Sequence, residues 1–160
     1  MFIKSVIYLC SPLLAGLGGI AAAQGTGDYA EDLARVYGAH QRVLATREAC
    51  DEAFPARRAV TDKAYSDWKQ RHQSLLEELD GRVTLMIHGA SADQKDYSRN
   101  LGKYEGAILQ QRIEFKQTLL ALDKTELAQQ CGQFPAYLKG PEADFRKKYA
   151  GELKTIGKRK

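Results

Sequence analysis

Few side chains in this 160-residue chain have types and spacings suited to chemistry. The cysteines are Cys10, Cys50 and Cys131, and the histidines are His40, His72 and His88. Cys10 lies inside an N-terminal apolar run, which leaves Cys50 and Cys131 as an even pair. In an oxidising compartment such a pair is most simply a disulfide, closing a loop of roughly 80 residues. The alternative is two unrelated buried thiols. The flanks of the pair resemble each other: Cys50 is followed by Phe54-Pro55-Ala56 and Cys131 by Phe134-Pro135-Ala136. This pattern reads as two helix ends at one pole, each Phe folding back onto the core and each Pro stopping its helix.

The histidines do not make a metal site. Zinc and iron sites need clustered ligands at i, i+4 or similar steps, and none of the three has a His or Cys partner at that spacing. His40 and His72 fall on the apolar faces of adjacent helices at different heights, so we read both as core or boundary residues. There is no C-x-x-C-H haem attachment, no Glu-x-x-His di-iron pair, no G-x-S-x-G and no phosphate-cradling Gly-rich loop. Glu77, Glu78 and Asp80 share the solvated sector of one helix. No cofactor, metal or catalytic residue is expected, and no residue pattern specifies a reaction.

Aromatic side chains are the other candidates. Tyr, Trp and Arg are enriched in binding hot spots. Tyr65, Trp68, Arg71, Tyr97, Arg99 and Tyr104 form the candidate partner-binding set. Core and boundary packing with satisfied polar atoms is the competing reading of the same aromatics.

Helices must position these residues. From Asp28 to Cys50, apolar positions recur at three- and four-residue steps (Ala30, Leu33, Tyr37, His40, Leu44), widened by Val36 and Val43. Thr26 or Asp28 caps this segment. From Ala56 to His88 the stripe is Val60, Ala64, Trp68, His72, Leu75, Leu79, Val83 and Met86, with a kink conceivable at Gly81 and a stop at Gly89. A third segment opens with the capping box Ser91-Ala92-Asp93-Gln94 and runs to Gln130, with a weak point near Gly102, Gly106 and Gln111-Arg112. A fourth starts at Gly140-Pro141 and presents Phe145, Tyr149, Leu153 and Ile156 on one face. No stretch alternates as a strand.

The expected fold is all-α: an up-down-up bundle of three long helices plus a shorter C-terminal helix, tied by one disulfide. The first and third helices then point the same way and bring Cys50 and Cys131 to one pole. The second and third helices, being longer, project past the first as a hairpin near Gly89.

Residues 1–23 read as a secretory signal peptide. Lys4 supplies the charged start, Ser5 to Ile20 are apolar or small, and Ala21-Ala22-Ala23 offers an A-x-A site before Gln24. The glycines and Pro12 favour cleavage over an uncleaved membrane helix, and Ile7-Tyr8-Leu9 lacks the small residues that lipidation of Cys10 requires. Residues 24–160 then form one domain with a basic, frayed C-terminal end, in the bacterial periplasm or secreted. Residues 146–160 hold seven Lys or Arg and one Glu, while residues 24–145 are net acidic. Such a tail suits solvated surface or, at most, peripheral contact with an anionic membrane. Nucleic acid is not an expected partner.

The expected function is that of an exported non-enzymatic interaction protein, for instance an immunity or inhibitor protein acting on a toxin or hydrolase. The alternatives are a chaperone-like or envelope-structural protein and a carrier of a small ligand or metal.

Overall fold

The computed structural model describes residues 25–159. The segment read as a signal peptide, with Cys10 and the Ala23–Gln24 junction, lies outside these residues, as does Lys160. The described residues hold six α-helices and no strand: α1 (Tyr29–Ala53), α2 (Arg58–Gly89), α3 (Gln94–Leu120), α4 (Lys124–Lys139), α5 (Phe145–Lys148) and α6 (Ala150–Lys158). Single 3-10 turns at Pro55–Arg57 and Pro141–Ala143 precede α2 and α5. In each, proline opens the turn, where a missing N–H costs nothing.

Short polar side chains set most of the helix starts. Asp28 caps α1 by accepting from the Glu31 N–H, while Thr26 turns instead to Asp32. The cap of α3 is Asp93, not Ser91. Asp93 accepts from Asp96 N–H, and the Asp96 carboxylate reaches back to Ala92 N–H. The reciprocal box therefore sits two residues later than the Ser-x-x-Gln reading placed it, because Ser91 spends its hydroxyl on the Ile87 carbonyl. α2 and α3 run unbroken through Gly81, Gly102 and Gly106.

The third segment does break, but later than expected. α3 stops at Leu120, and Asp123 caps a new helix by accepting from Thr125 and Glu126 N–H. Cys131 consequently sits in the middle of α4 rather than at the end of a single long helix, and Pro135 lies inside α4 rather than terminating it. Pro135 has no N–H to give to the Cys131 carbonyl one turn back, a loss of about 3 kcal/mol in an ordinary helix. Burial of Phe134 and Leu138 on either side of it, together with the covalent tie at Cys131, offsets that loss.

α1 is the hub, packing against α2, α3, α4 and α6. This explains why its buried set (Leu33, Val36, Ala39, Val43, Ala45 and Ala49) wraps more of the helix than one stripe. On α2 the buried face runs through Thr61, Ala64, Trp68, His72, Leu75, Leu79, Val83 and Ile87, whereas Val60 is 62% exposed. Two clusters result. The larger centres on Trp68 and Phe145. The smaller surrounds the Cys50–Cys131 disulfide with Ala49, Leu119 and Leu127, and Phe54 and Phe115 pack onto it. At the other end, Tyr29 and Arg159 line the same cleft as Met86 and Gly89, so the α2 terminus is flanked there by the start of α1 and the end of α6.

Candidate functional site

The six aromatic and arginine candidates do not converge. Trp68 is fully buried and donates its indole N–H to the Ala143 carbonyl at 2.8 Å. Tyr65 is buried beneath the Arg47 guanidinium, 4.8 Å from its ring centre. Arg71 donates to the Leu138 carbonyl at the end of α4. Tyr97 packs on His88, Tyr104 on Tyr37, and Arg99 pairs with Asp96. Tyr65 stacks on Trp68 at 6.0 Å, Arg71, Tyr97 and Tyr104 join helices at other places, and the Arg99–Asp96 pair lies within α3.

Two histidines flank the indole. The His72 ring stacks on Trp68 at 4.8 Å, and the His40 ring lies 6.0 Å away from it. His72 Nδ1 lies 2.9 Å from the Trp68 carbonyl, and Nε2 faces the Phe145 N–H at 3.3 Å and the Asp144 carboxylate at 3.9 Å. His40 Nε2 is buried without a partner. The Trp68 indole packs against both imidazoles. Among the described residues no group of three or more His, Cys, Asp or Glu is placed to hold a metal ion.

Burial, reinforced by Lys69 and Arg112, pushes the His40 pKa down from 6.5 to about 4. A depressed histidine favours folding while it is neutral in both states. That contribution is complete above about 6.5 and is lost as pH falls from about 6.5 towards about 4. We expect the thermal midpoint to fall across this window and the fall to be shallower in His40→Phe. Thermal melts at half-unit pH steps check this. Parallel curves for the two proteins would contradict it.

A different set of residues does meet at the surface. Arg42 and Thr46 of α1, Phe115 of α3, Gln133 and Tyr137 of α4, and Lys148 with Tyr149 beyond α4 line a cleft of about 360 Å³. Phe134 and Phe145 reach it from the core. The Arg42 side chain is exposed and makes no ion pair or side-chain hydrogen bond among the described residues. Most of the other arginines have such a partner, as Arg47 has in Asp62 and Arg82 in Glu78. Lys148 is held loosely, 3.9 Å from Glu142 and 5.9 Å above the Tyr149 ring. Burial, with Tyr149 and Glu142 nearby, raises the Tyr137 pKa against the opposing pull of Arg42, so its hydroxyl remains a donor at neutral pH. The cleft thus combines aromatic walls with an unpaired guanidinium, an ammonium, phenol hydroxyls and amides. That chemistry suits an anionic group carried on an apolar or aromatic body.

The sequence signal for this cleft was faint. Arg42 lies one residue from the apolar face of α1, and Gln133-Phe134-Pro135-Ala136-Tyr137 reads as a helix end unless Pro135 is known to continue α4.

A second basic surface gathers Arg71, Lys139, Arg146 and Lys147 around the α4–α5 connection. Arg71 and Arg146 are engaged there with the Leu138 carbonyl and the Ser74 hydroxyl. No helix of the described residues is long and apolar enough to cross a membrane.

Fold and cleft together define an all-helical, disulfide-tied protein with a cationic, aromatic surface site. Comparison with protein families, with curated proteins and with solved structures finds no match to this chain.

Proposed function

We propose that the chain is exported and acts without catalysis, by binding another protein through the Arg42–Tyr137–Lys148 cleft. An inhibitor or immunity protein against a toxin or hydrolase is the leading form of this reading. The observation that carries it is Arg42, an exposed guanidinium without a carboxylate partner at the mouth of an aromatic cleft. Arginine beside tyrosine is the composition of binding hot spots, where truncation of one side chain typically costs about 2 kcal/mol or more.

The scaffold is read as an up-down-up bundle. Arg47–Asp62 pairs α1 with the start of α2, and Glu48–Arg112 with Glu52–Lys116 pairs α1 with α3 in one direction. Such a scaffold keeps the cleft preorganised, which lowers the entropy lost on binding.

The test is affinity capture from a periplasmic extract, followed by calorimetry with the purified partner. We expect one stoichiometric partner, bound about 30-fold more weakly by Arg42→Ala, which corresponds to about 2 kcal/mol. No partner, or equal affinity of the variant, would overturn the reading. Many weak clients would point instead to a chaperone-like role. A small-ligand carrier is the second reading, favoured by the cleft's volume, which lies within the range of small-molecule sites. Native mass spectrometry of the exported protein would find the bound mass.

A further inference from the structure

α3 packs against α1 and, less extensively, α2, and of its 27 residues only Leu119 is buried. Tyr97, Leu101 and Tyr104 reach the larger cluster and Phe115 the smaller. On the other side of the helix stand Leu109, 47% exposed, and Ile113, 42% exposed, one turn apart. Gly102 and Gly106 continue that line towards the start of α3, and nothing lies within 4 Å of where a side chain on either would begin. The glycines lower helix propensity without making room for any part of the same chain. A neighbour that comes close at the glycines and covers Leu109 and Ile113 accounts for both features.

The line has the spacing of a coiled-coil seam. Lys95, Arg99, Gly102, Gly106, Leu109, Ile113, Lys116 and Leu120 follow one another at alternate steps of four and three residues. The seam is also its own complement. A two-fold axis crossing α3 between Ala107 and Ile108 sets Gly102 opposite Ile113 of a second copy and Gly106 opposite Leu109 of that copy, so each large side chain meets a gap. An isologous contact has this reciprocity, residue i on j and j on i.

The flanks agree in charge. In the same register Lys103 lies beside Gln110 and Glu114 of the second copy, and Glu105 beside Arg112 of it. Lys103, Glu105 and Glu114 are exposed and make no ion pair within their own chain among the described residues, and Arg112 meets Glu48 only at 3.6 Å. One like-charged pair arises, Arg99 with Lys116 of the second copy. Each of these already has an acid in its own chain, Asp96 and Glu52. We propose that α3 pairs antiparallel with α3 of a second copy through Gly102, Gly106, Leu109 and Ile113, making a two-fold dimer.

Sedimentation velocity of the purified protein, from about 1 µM to about 500 µM, reads the association. We expect a monomer–dimer equilibrium within that range. Leu109→Glu and Ile113→Glu alter surface positions of the single chain, so they should leave its fold intact and each raise the dissociation constant about 10-fold or more. Leu85→Glu, at a leucine of α2 that is 71% exposed, should leave it unchanged. Lys103→Glu alone should weaken the dimer by facing Glu114 with an acid. Adding Glu114→Lys should restore it, because the pair is regained with its signs exchanged. A monomer at every concentration would overturn the proposal, as would a dimer indifferent to Leu109→Glu. A double variant no tighter than Lys103→Glu would overturn the antiparallel register. If the chain alone stayed monomeric and Leu109→Glu abolished binding of a different protein, the face would belong to that protein and not to a second copy.

Discussion

Replacing both Cys50 and Cys131 by alanine lowers the unfolding free energy by about 4.5 kcal/mol and the thermal midpoint by roughly 15 °C. The bridge joins residues 81 apart, and the entropy it removes from the unfolded chain grows with the logarithm of that loop. Its structural setting adds to the effect. The bridge forms the centre of the smaller cluster, where Ala49, Leu119 and Leu127 pack against it, so its loss also loosens the joint between α3 and α4. It further holds α4 in place across Pro135, where the helical ladder lacks a donor. Urea titrations with and without reductant, and of the double variant, measure the change. A drop of under about 1 kcal/mol would show that packing alone holds α4, against this account of the bridge.

Trp68→Ala is expected to cost about 3–5 kcal/mol, more than any other single truncation in the larger cluster. The indole is fully buried, stacks on His72 and meets the Phe145 ring edge-on at 5.1 Å. Alanine leaves a cavity that these rigid neighbours cannot close, and it strands the Ala143 carbonyl, which accepts the indole N–H. Trp68→Phe separates the two effects. It retains most of the contact and loses the hydrogen bond, so its stability should fall between those of wild type and alanine. As the only tryptophan, Trp68 also reports on its own surroundings. Its emission should be blue-shifted and resistant to acrylamide in the native state. Ready quenching, or an alanine variant as stable as the phenylalanine one, would contradict this placement.

Both predictions concern residues the sequence had already singled out, one in the role assigned to it and one in another. The cysteines paired as their parity required. The sequence allows Trp68 as binding surface or as core, and the structure puts it at the centre of the core. A tryptophan on an apolar stripe looks the same in sequence whether the next layer is solvent, a partner or the chain's own C-terminal helices. Here that layer is Ala143 and Phe145, 75 and 77 residues further on.

The division of α3 from α4 is encoded locally. Asp123-Lys124-Thr125-Glu126 places a capping aspartate three residues before an acid, the same device that starts α3. The continuing apolar spacing of Phe115, Leu119 and Leu122 masked it. Pro135 misled in the opposite direction. A proline normally ends a helix, yet this one is carried inside α4 because burial and the disulfide outweigh one lost hydrogen bond.

What the sequence determined by itself is the helical class, the approximate position of each long helix and the partners of the disulfide. These follow from 3.6-residue periodicity, capping side chains and an even number of cysteines, all of which act over a few residues or by simple parity. The tertiary structure alone decided that α1 is the hub, that Arg71 meets the Leu138 carbonyl while Arg42 is left without a partner, and that Trp68 lies against Ala143 and Phe145. Each of these depends on which groups meet between helices that are separate along the chain. Desolvation and hydrogen bonding are set by that meeting, and not by the order of residues along any one helix.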